Sequence, residues 1–229
     1  MVHHRRVRIA GVRGQSAPPE YERLCGNHPK AFGGLRVEVE ASEPTELALG
    51  ADESYSLRLD AAGGVLSAAT EWGALRGIET FTQLVQRSYA DAATESTADL
   101  LLCGLPMSVD DSPTYAWRGL LVDTSRHHLP LATSMLPLID AMSAMKLNVL
   151  HWHLTDSQSF PYGSEAVPEL PRHGAYHPSL TYSLGEMRAV VAYAHARGIR
   201  VVYDALPTCR NRPHMWKGLH RRPRGLART

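Results

Sequence analysis

Arg126 and Asp156 each stand in a polar string that follows a short apolar run. Gly119-Leu120-Leu121-Val122 gives way to Asp123-Thr124-Ser125-Arg126, and Leu147-Asn148-Val149-Leu150 gives way to His151-Trp152-His153-Leu154-Thr155-Asp156. A planar guanidinium beside a carboxylate grips the vicinal hydroxyls of a sugar, and equally a carboxylate or a phosphate. Residue chemistry alone does not choose among them. His151 and His153 alternate along one strand and share a face, as a metal pair would. A metal site also needs a third and usually a fourth ligand, with partners that orient them, and no further His/Cys cluster stands at a suitable place. Structural histidines are therefore the expectation, with no metal and no other cofactor. Glu165 and Glu169, in a loop after the second run, receive no role, because exposed loop acids are commonplace.

The elements that must position these residues follow from periodicity. Short continuous apolar runs fit strands buried on both faces. The segment between them, about Ser134 to Lys146, has helical spacing at Met135, Leu138, Ile139, Met142 and Met145. This is a βαβ unit, and ligand chemistry in such units collects at the carboxyl ends of the strands, where Arg126 and Asp156 both fall. A Pro- and aromatic-rich loop from Phe160 to Tyr182 follows. Ser183 with Glu186 then forms a capping box, Met187, Val190, Val191 and Ala194 form a stripe, and Gly198 supplies the stop. Ile199-Arg200-Val201-Val202 is a third strand.

Two long strings resemble the opening of the catalytic barrel of family 20 β-N-acetylhexosaminidases: Trp117 through Pro130, reading WRGLLVDTSRHHLP, and Lys146 through Pro161, reading KLNVLHWHLTDSQSFP. A stretch nearer the amino terminus, Asp52-Glu53-Ser54-Tyr55-Ser56-Leu57 with Thr70 through Leu84, is similar to the domain that precedes that barrel. The resemblance implies that Arg126 holds hydroxyls of the terminal sugar. It also implies that Asp156 joins a hydrogen-bond chain that passes through a histidine toward the catalytic acid. After the third strand the family continues with an acidic residue, an aspartate and a Pro-Gly-His turn. Here the chain reads Tyr203-Asp204-Ala205-Leu206-Pro207-Thr208-Cys209, in which only Asp204 is loosely compatible.

The implied activity is removal of terminal non-reducing N-acetylhexosamine from glycoconjugates. Most glycosidases use two carboxylates, but this family is an exception in which the substrate supplies the nucleophile. By resemblance, the N-acetyl oxygen attacks its own anomeric carbon while an adjacent Asp-Glu pair orients the acetamido group and protonates the leaving oxygen. That pair follows the fourth barrel strand in the family, so no catalytic residue is assigned here, and the chain alone is expected to be inactive. Arg126 and Asp156 are expected to bind substrate. The implied partner is a glycan ending in N-acetylhexosamine. The other reading is a non-catalytic fragment or a splice or frame variant, at most binding sugar weakly or pairing with a full-length relative.

The fold expected is α/β: a small α+β domain followed by a truncated (β/α)8 TIM barrel with about three strands. A full barrel typically needs about 250 residues, and 118 follow Asp111. Residues 1–33 read as a loose leader, 34–110 as the α+β domain, 111–204 as the start of the barrel and 205–229 as an unmatched basic tail. In the first domain Leu35, Val37 and Val39 alternate as a half-buried strand, Tyr55–Leu59 is a second strand, and Gly63-Gly64 turns into Val65–Ala68. A helix runs from about Glu71 to Arg87 with Gly73 and Gly77 inside it. Each costs about 1 kcal/mol relative to Ala, which close packing on a sheet would offset. Leu100-Leu101-Leu102 reads as a last strand, and Pro106, Asp110, Asp111 and Pro113 as the linker.

The formal charge of +1 hides an asymmetry: residues 210–229 carry seven Lys/Arg and no acid, which leaves 17 basic against 23 acidic residues before them. The tail holds one aromatic, Trp216, and no binding module, so a solvated extension is expected rather than a nucleic-acid contact. Three cysteines, Cys25, Cys103 and Cys209, lack metal-ligand spacing and are odd in number, which favours free or buried thiols. The amino terminus has the positive flank of a signal peptide without its apolar stretch, and no apolar run is long enough to span a membrane. Family members are lysosomal, vacuolar or secreted; the compartment of this chain is left open.

Overall fold

The computed structural model describes residues 5–7, 32–87 and 100–204. The chain separates into two compact units, Met1–Ala116 and Trp117–Thr229. The tail after Asp204 and most of the leader lie outside the described residues.

Unit 1 contains β1 (Arg5–Val7), β2 (Leu35–Val39), β3 (Tyr55–Leu59), β4 (Gly64–Ala68), α1 (Glu71–Leu84), β5 (Val85–Arg87), β6 (Leu100–Leu102) and β7 (Met107–Asp111). Five strands form one sheet in the order β1-β2-β4-β3-β7, in which only the β2–β4 pair is parallel; β5 and β6 pair separately. Alternation dictates the core: Leu35, Val37, Tyr55, Leu57, Leu59, Leu66 and Ala68 point to one face and are buried there with Ala74 and Phe81 of α1. Thr70 caps the helix, its hydroxyl accepting from the Gly73 amide at 3.2 Å.

The two helix glycines are explained by contact. A Cβ at Gly73 would stand 2.2 Å from the Ser54 carbonyl oxygen, and one at Gly77 would stand 2.3 Å from Leu66 Cδ1. The helix lies against the sheet closer than an alanine permits, which offsets their cost in helix propensity.

Four expectations are corrected in this unit. The helix ends at Leu84 rather than Arg87, because Val85–Arg87 turns extended and pairs with Leu100–Leu102. Residues read as linker form β7: Met107 and Val109 pack on the core, while Asp110 meets Arg58 at 3.0 Å and Asp111 accepts from the Tyr55 hydroxyl at 2.9 Å. Part of the leader joins the sheet as β1. Cys103 is disulfide-bonded and not a free thiol, since an odd cysteine count excludes full pairing but not one pair.

Unit 2 contains β8 (Gly119–Asp123), one π-helical turn (Leu131–Met135) running into α2 (Leu136–Ala144), β9 (Val149–His153), α3 (Glu169–Gly174), α4 (Leu184–His195) and β10 (Arg200–Asp204). The strands form a parallel sheet in the order β8-β9-β10. Leu150 and Trp152 of β9 pack with Met135, Ile139 and Met142 before and within α2, and with Val190 and Ala194 of α4. Ser183 and Glu186 form the expected capping box, and Gly198 ends the turn after α4 at φ +67°.

The apolar run of β8 is not buried on both faces: Leu121 is 57% exposed, and Val202, level with it on β10, is 42% exposed. Within this unit α2 and α4 pack on the Leu150 and Trp152 face of the sheet, and Leu121 and Val202 lie on the other. The Phe160–Tyr182 stretch, expected as loop, holds the short helix α3.

Candidate sugar-binding site

Register builds the site. Asp123, His153 and Asp204 are aligned partners on β8, β9 and β10, so one row across the carboxyl ends of the sheet carries a carboxylate, an imidazole and a carboxylate. One pair back, His151 lies between Leu121 and Val202 on the same face.

The turn after β8 is rooted in the interior. Thr124 and Ser125 are buried; the Trp152 indole N–H donates to the Thr124 hydroxyl at 2.8 Å, and the Ser125 hydroxyl donates to the Ser159 carbonyl at 2.7 Å. Asp123 Oδ1 accepts from the amides of Ser125 and Arg126, each at 3.0 Å. The backbone is thereby fixed while the Arg126 side chain, 49% exposed, reaches outward.

Arg126 is held from two sides. Its Nη1 donates to Asp123 Oδ2 at 2.6 Å and its Nη2 donates to Asp156 Oδ2. Asp156 Oδ1 accepts from the Ser157 amide at 2.5 Å, and its Oδ2 lies 3.5 Å from His153 Nε2. His153 Nδ1 is 2.8 Å from Asp204 Oδ1, and His151 Nε2 is 3.2 Å from Asp204 Oδ2. A continuous polar chain, Asp123–Arg126–Asp156–His153–Asp204–His151, therefore runs across the three strand ends.

The electrostatics follow from these contacts. For Asp123, burial raises the carboxyl pKa, but the backbone and side-chain N–H groups of Arg126 and the Ser125 amide outweigh it and hold the group below the ordinary range. The Ser157 amide lowers Asp156 against the opposing effect of burial, with His153 and Arg126 adding to the lowering. For Asp204, burial is outweighed by His153 and His151, and the net direction is again down. Arg126 is pushed above its ordinary value, chiefly by its hydrogen bond to Asp123. The site is thus a set of ionised carboxylates around one guanidinium whose remaining N–H groups are turned to solvent, an arrangement suited to holding hydroxyl groups.

Both expected site residues, Arg126 and Asp156, come together at the same strand ends. Sequence reasoning read His151 and His153 as structural and Asp204 as only loosely compatible with the family's turn, and did not join the three to the site. In-register parallel pairing would have found them, because alternation already puts both histidines on the face of Asp123, and the same alternation carries Asp204 there. Glu165 is exposed, and Glu169 opens α3, where it binds His173 at 2.9 Å and Arg172 at 3.3 Å, away from the polar chain. Among the described residues, no group of three His, Cys, Asp or Glu is arranged to hold a metal ion, and no helix is long and apolar enough to cross a membrane.

Residues 115–206 match the glycosyl hydrolase family 20 catalytic domain, and residues 11–84 match a domain described as beta-acetyl hexosaminidase like. The mouse β-hexosaminidase subunit beta is 47% identical over 168 residues, 73% of this chain and 30% of its own length. The human subunit beta is 47% identical over 156 residues, 67% and 26% of the two chains. Among solved structures, the Flavobacterium johnsoniae chitobiase aligns at a TM-score of 0.62 with 34% identity, covering 74% of this chain and 24% of that one. A family 20 exo β-N-acetylglucosaminidase from Vibrio harveyi, in complex with N-acetylglucosamine, aligns at 0.58 with 25% identity, covering 74% and 26%. The chain therefore spans less than a third of the length of these relatives. Through two stretches in the order found in its relatives, a small α+β unit and then the first three strands of a barrel, this chain belongs to glycosyl hydrolase family 20.

Proposed function

We propose that Arg126 and Asp156 hold the terminal sugar of a glycan ending in N-acetylhexosamine, in the opening part of a β-N-acetylhexosaminidase barrel. The observation that supports this is the two-sided clamp on Arg126, which orients a guanidinium outward at the strand ends of a family 20 sheet. The reaction served is substrate-assisted retaining hydrolysis, in which the acetamido oxygen attacks the anomeric carbon and an adjacent Asp-Glu pair stabilises the acetamido group and moves the proton.

These 229 residues do not supply that pair. Their single Asp-Glu dipeptide, Asp52-Glu53, belongs to unit 1, where Glu53 is buried against Arg76 at 2.7 Å. General acid catalysis contributes typically about 10²–10⁴-fold, and the oriented Asp adds electrostatic stabilisation beyond that. The chain alone accordingly binds sugar without turning it over. The exposed Leu121 and Val202 favour a second role, pairing of this sheet with a relative that covers it. The disulfide at Cys103 fits an oxidising compartment.

The experiment is a titration of the purified chain with N-acetylglucosamine, followed at the Arg126 side-chain signals by NMR, beside an assay with an aryl N-acetyl-β-glucosaminide. A saturating response that Arg126→Ala abolishes, with no turnover above a blank, is the expected result. Turnover that tracks the purified protein and falls in Arg126→Ala would overturn the inactivity, and no response in the wild-type chain would overturn the sugar site.

A further inference from the structure

We infer that His153 and Asp204 are positioning residues: Asp204 fixes the His153 ring so that its Nε2 is aimed at Asp156, and the pair thereby holds Asp156 in place beside Arg126. This rests on the reading that Arg126 and Asp156 hold the sugar, but its geometry stands apart from that reading.

A ring N–H donates and a carboxylate oxygen accepts, so a carboxylate beside an imidazole is held by the nitrogen that faces it. Nδ1 faces Asp204 Oδ1 at 2.8 Å and Nε2 faces Asp156 Oδ2 at 3.5 Å, so the closer contact sets the ring and the other nitrogen is presented to Asp156. The order is carboxylate, imidazole, carboxylate, the same logic by which an orienting acid fixes a ring for work at its far nitrogen. An N–H on Nε2 makes the contact to Asp156 a charge-assisted hydrogen bond.

Asp204 is itself tied down. Its Oδ2 lies 3.2 Å from His151 Nε2, and its carbonyl oxygen accepts from the Leu154 amide at 3.3 Å. Leu154 immediately follows His153, so the backbone at the end of β9 and the carboxylate that holds the β9 ring are anchored to the same residue. The groups that face Asp156 are Arg126, His153 and the Ser157 amide; removing His153 takes away one of the contacts that hold its carboxyl low. Asp204 lies in the string where the chain departs from the family's Pro-Gly-His pattern, and His153, at the end of the strand that leads to Asp156, stands as an imidazole beside that carboxylate.

The test uses the whole chain with 13C-labelled aspartate. The Asp156 carboxyl titration midpoint is expected to move upward in His153→Gln, and to move the same way in Asp204→Asn, which frees the ring, while Asp140→Asn, on α2, leaves it in place. An Asp156 midpoint that ignores His153→Gln in a folded protein, or one that ignores Asp204→Asn, overturns the proposal. Failure of N-acetylglucosamine to perturb Arg126 while the Asp156 midpoint moves as stated counts against the sugar reading alone.

Discussion

Unit 1 and unit 2 both hold an arginine against carboxylate, and they do it in opposite ways. In unit 1 Arg76 and Glu53 meet at 2.7 Å with both side chains at most 5% exposed. In unit 2 Arg126 meets Asp123 and Asp156 at strand ends, half exposed. A buried pair has lost its water and is committed to its partner, so the surrounding fold depends on its completeness. An exposed clamp keeps N–H groups in solvent and contributes little to stability, which leaves it available for a ligand. The sheets differ in the same sense: α1 packs on the apolar face of unit 1, whereas unit 2 carries its polar chain on the face opposite the one packed by α2 and α4.

The largest effect that tests this contrast is in unit 1. Arg76→Met leaves the Glu53 carboxylate buried after its guanidinium is gone, and breaking a buried pair in this way costs about 3–5 kcal/mol. Chemical denaturation of the variant should show a loss of that size. A loss below about 1 kcal/mol would mean that the pair is not what holds the α1–β3 contact.

A smaller effect separates packing from propensity. Gly73→Ala improves intrinsic helix propensity by about 1 kcal/mol, but it sets a methyl 2.2 Å from the Ser54 carbonyl oxygen. That oxygen belongs to backbone and cannot rotate away, so overpacking wins by about 1–3 kcal/mol and the variant melts below the wild type. A higher melting temperature would show that α1 can lift off the sheet.

In the same contrast, Arg126→Ala should leave the melting transition almost unmoved while abolishing any response to N-acetylglucosamine. A large drop in melting temperature would place Arg126 with Arg76 as a structural residue.

What could be read from the sequence follows the same division. Period-two alternation in β2 and β3, the stripe of α1, the Ser183–Glu186 box and the strand-end positions of Arg126 and Asp156 are local features, and local features are written in residue order. What escaped depends on partners far along the chain. Val85–Arg87 leaves the helix only because Leu100–Leu102 lies beside it. Met107–Asp111 looks like linker until β3 supplies its hydrogen bonds. Asp204 looks like a stray acid until register sets it across from His153. The exposure of Leu121 also has no local sign, since an apolar run reads as buried whether or not neighbouring elements cover it.

The last and smallest effect concerns acid, and it sharpens the contrast between units. Among the described residues, Asp123, Asp140, Asp156, Glu186 and Asp204 of unit 2 have lowered pKa values, against Asp52 and Asp110 of unit 1. A carboxyl whose folded pKa lies below its unfolded value of about 4 binds more protons unfolded than folded, so its stabilisation is present above that value and is lost as pH falls through the folded one. His128 adds an earlier limb. Burial lowers its pKa against an opposing pull from Glu186; its Nδ1 is buried with no hydrogen-bond partner, and the ring stacks on Tyr182 at 4.4 Å. The ring is held neutral in the fold while the unfolded chain takes up a proton near pH 6.5, so stability declines as pH falls from about 6.5 toward the lower folded value. Residue-resolved amide exchange should therefore show protection in unit 2 falling before protection in unit 1 on acidification. His128→Phe, which keeps an aromatic ring on Tyr182, should remove the first limb and spare the second. If unit 1 opens first, or if His128→Phe leaves the first limb intact, the acid sensitivity lies outside these groups.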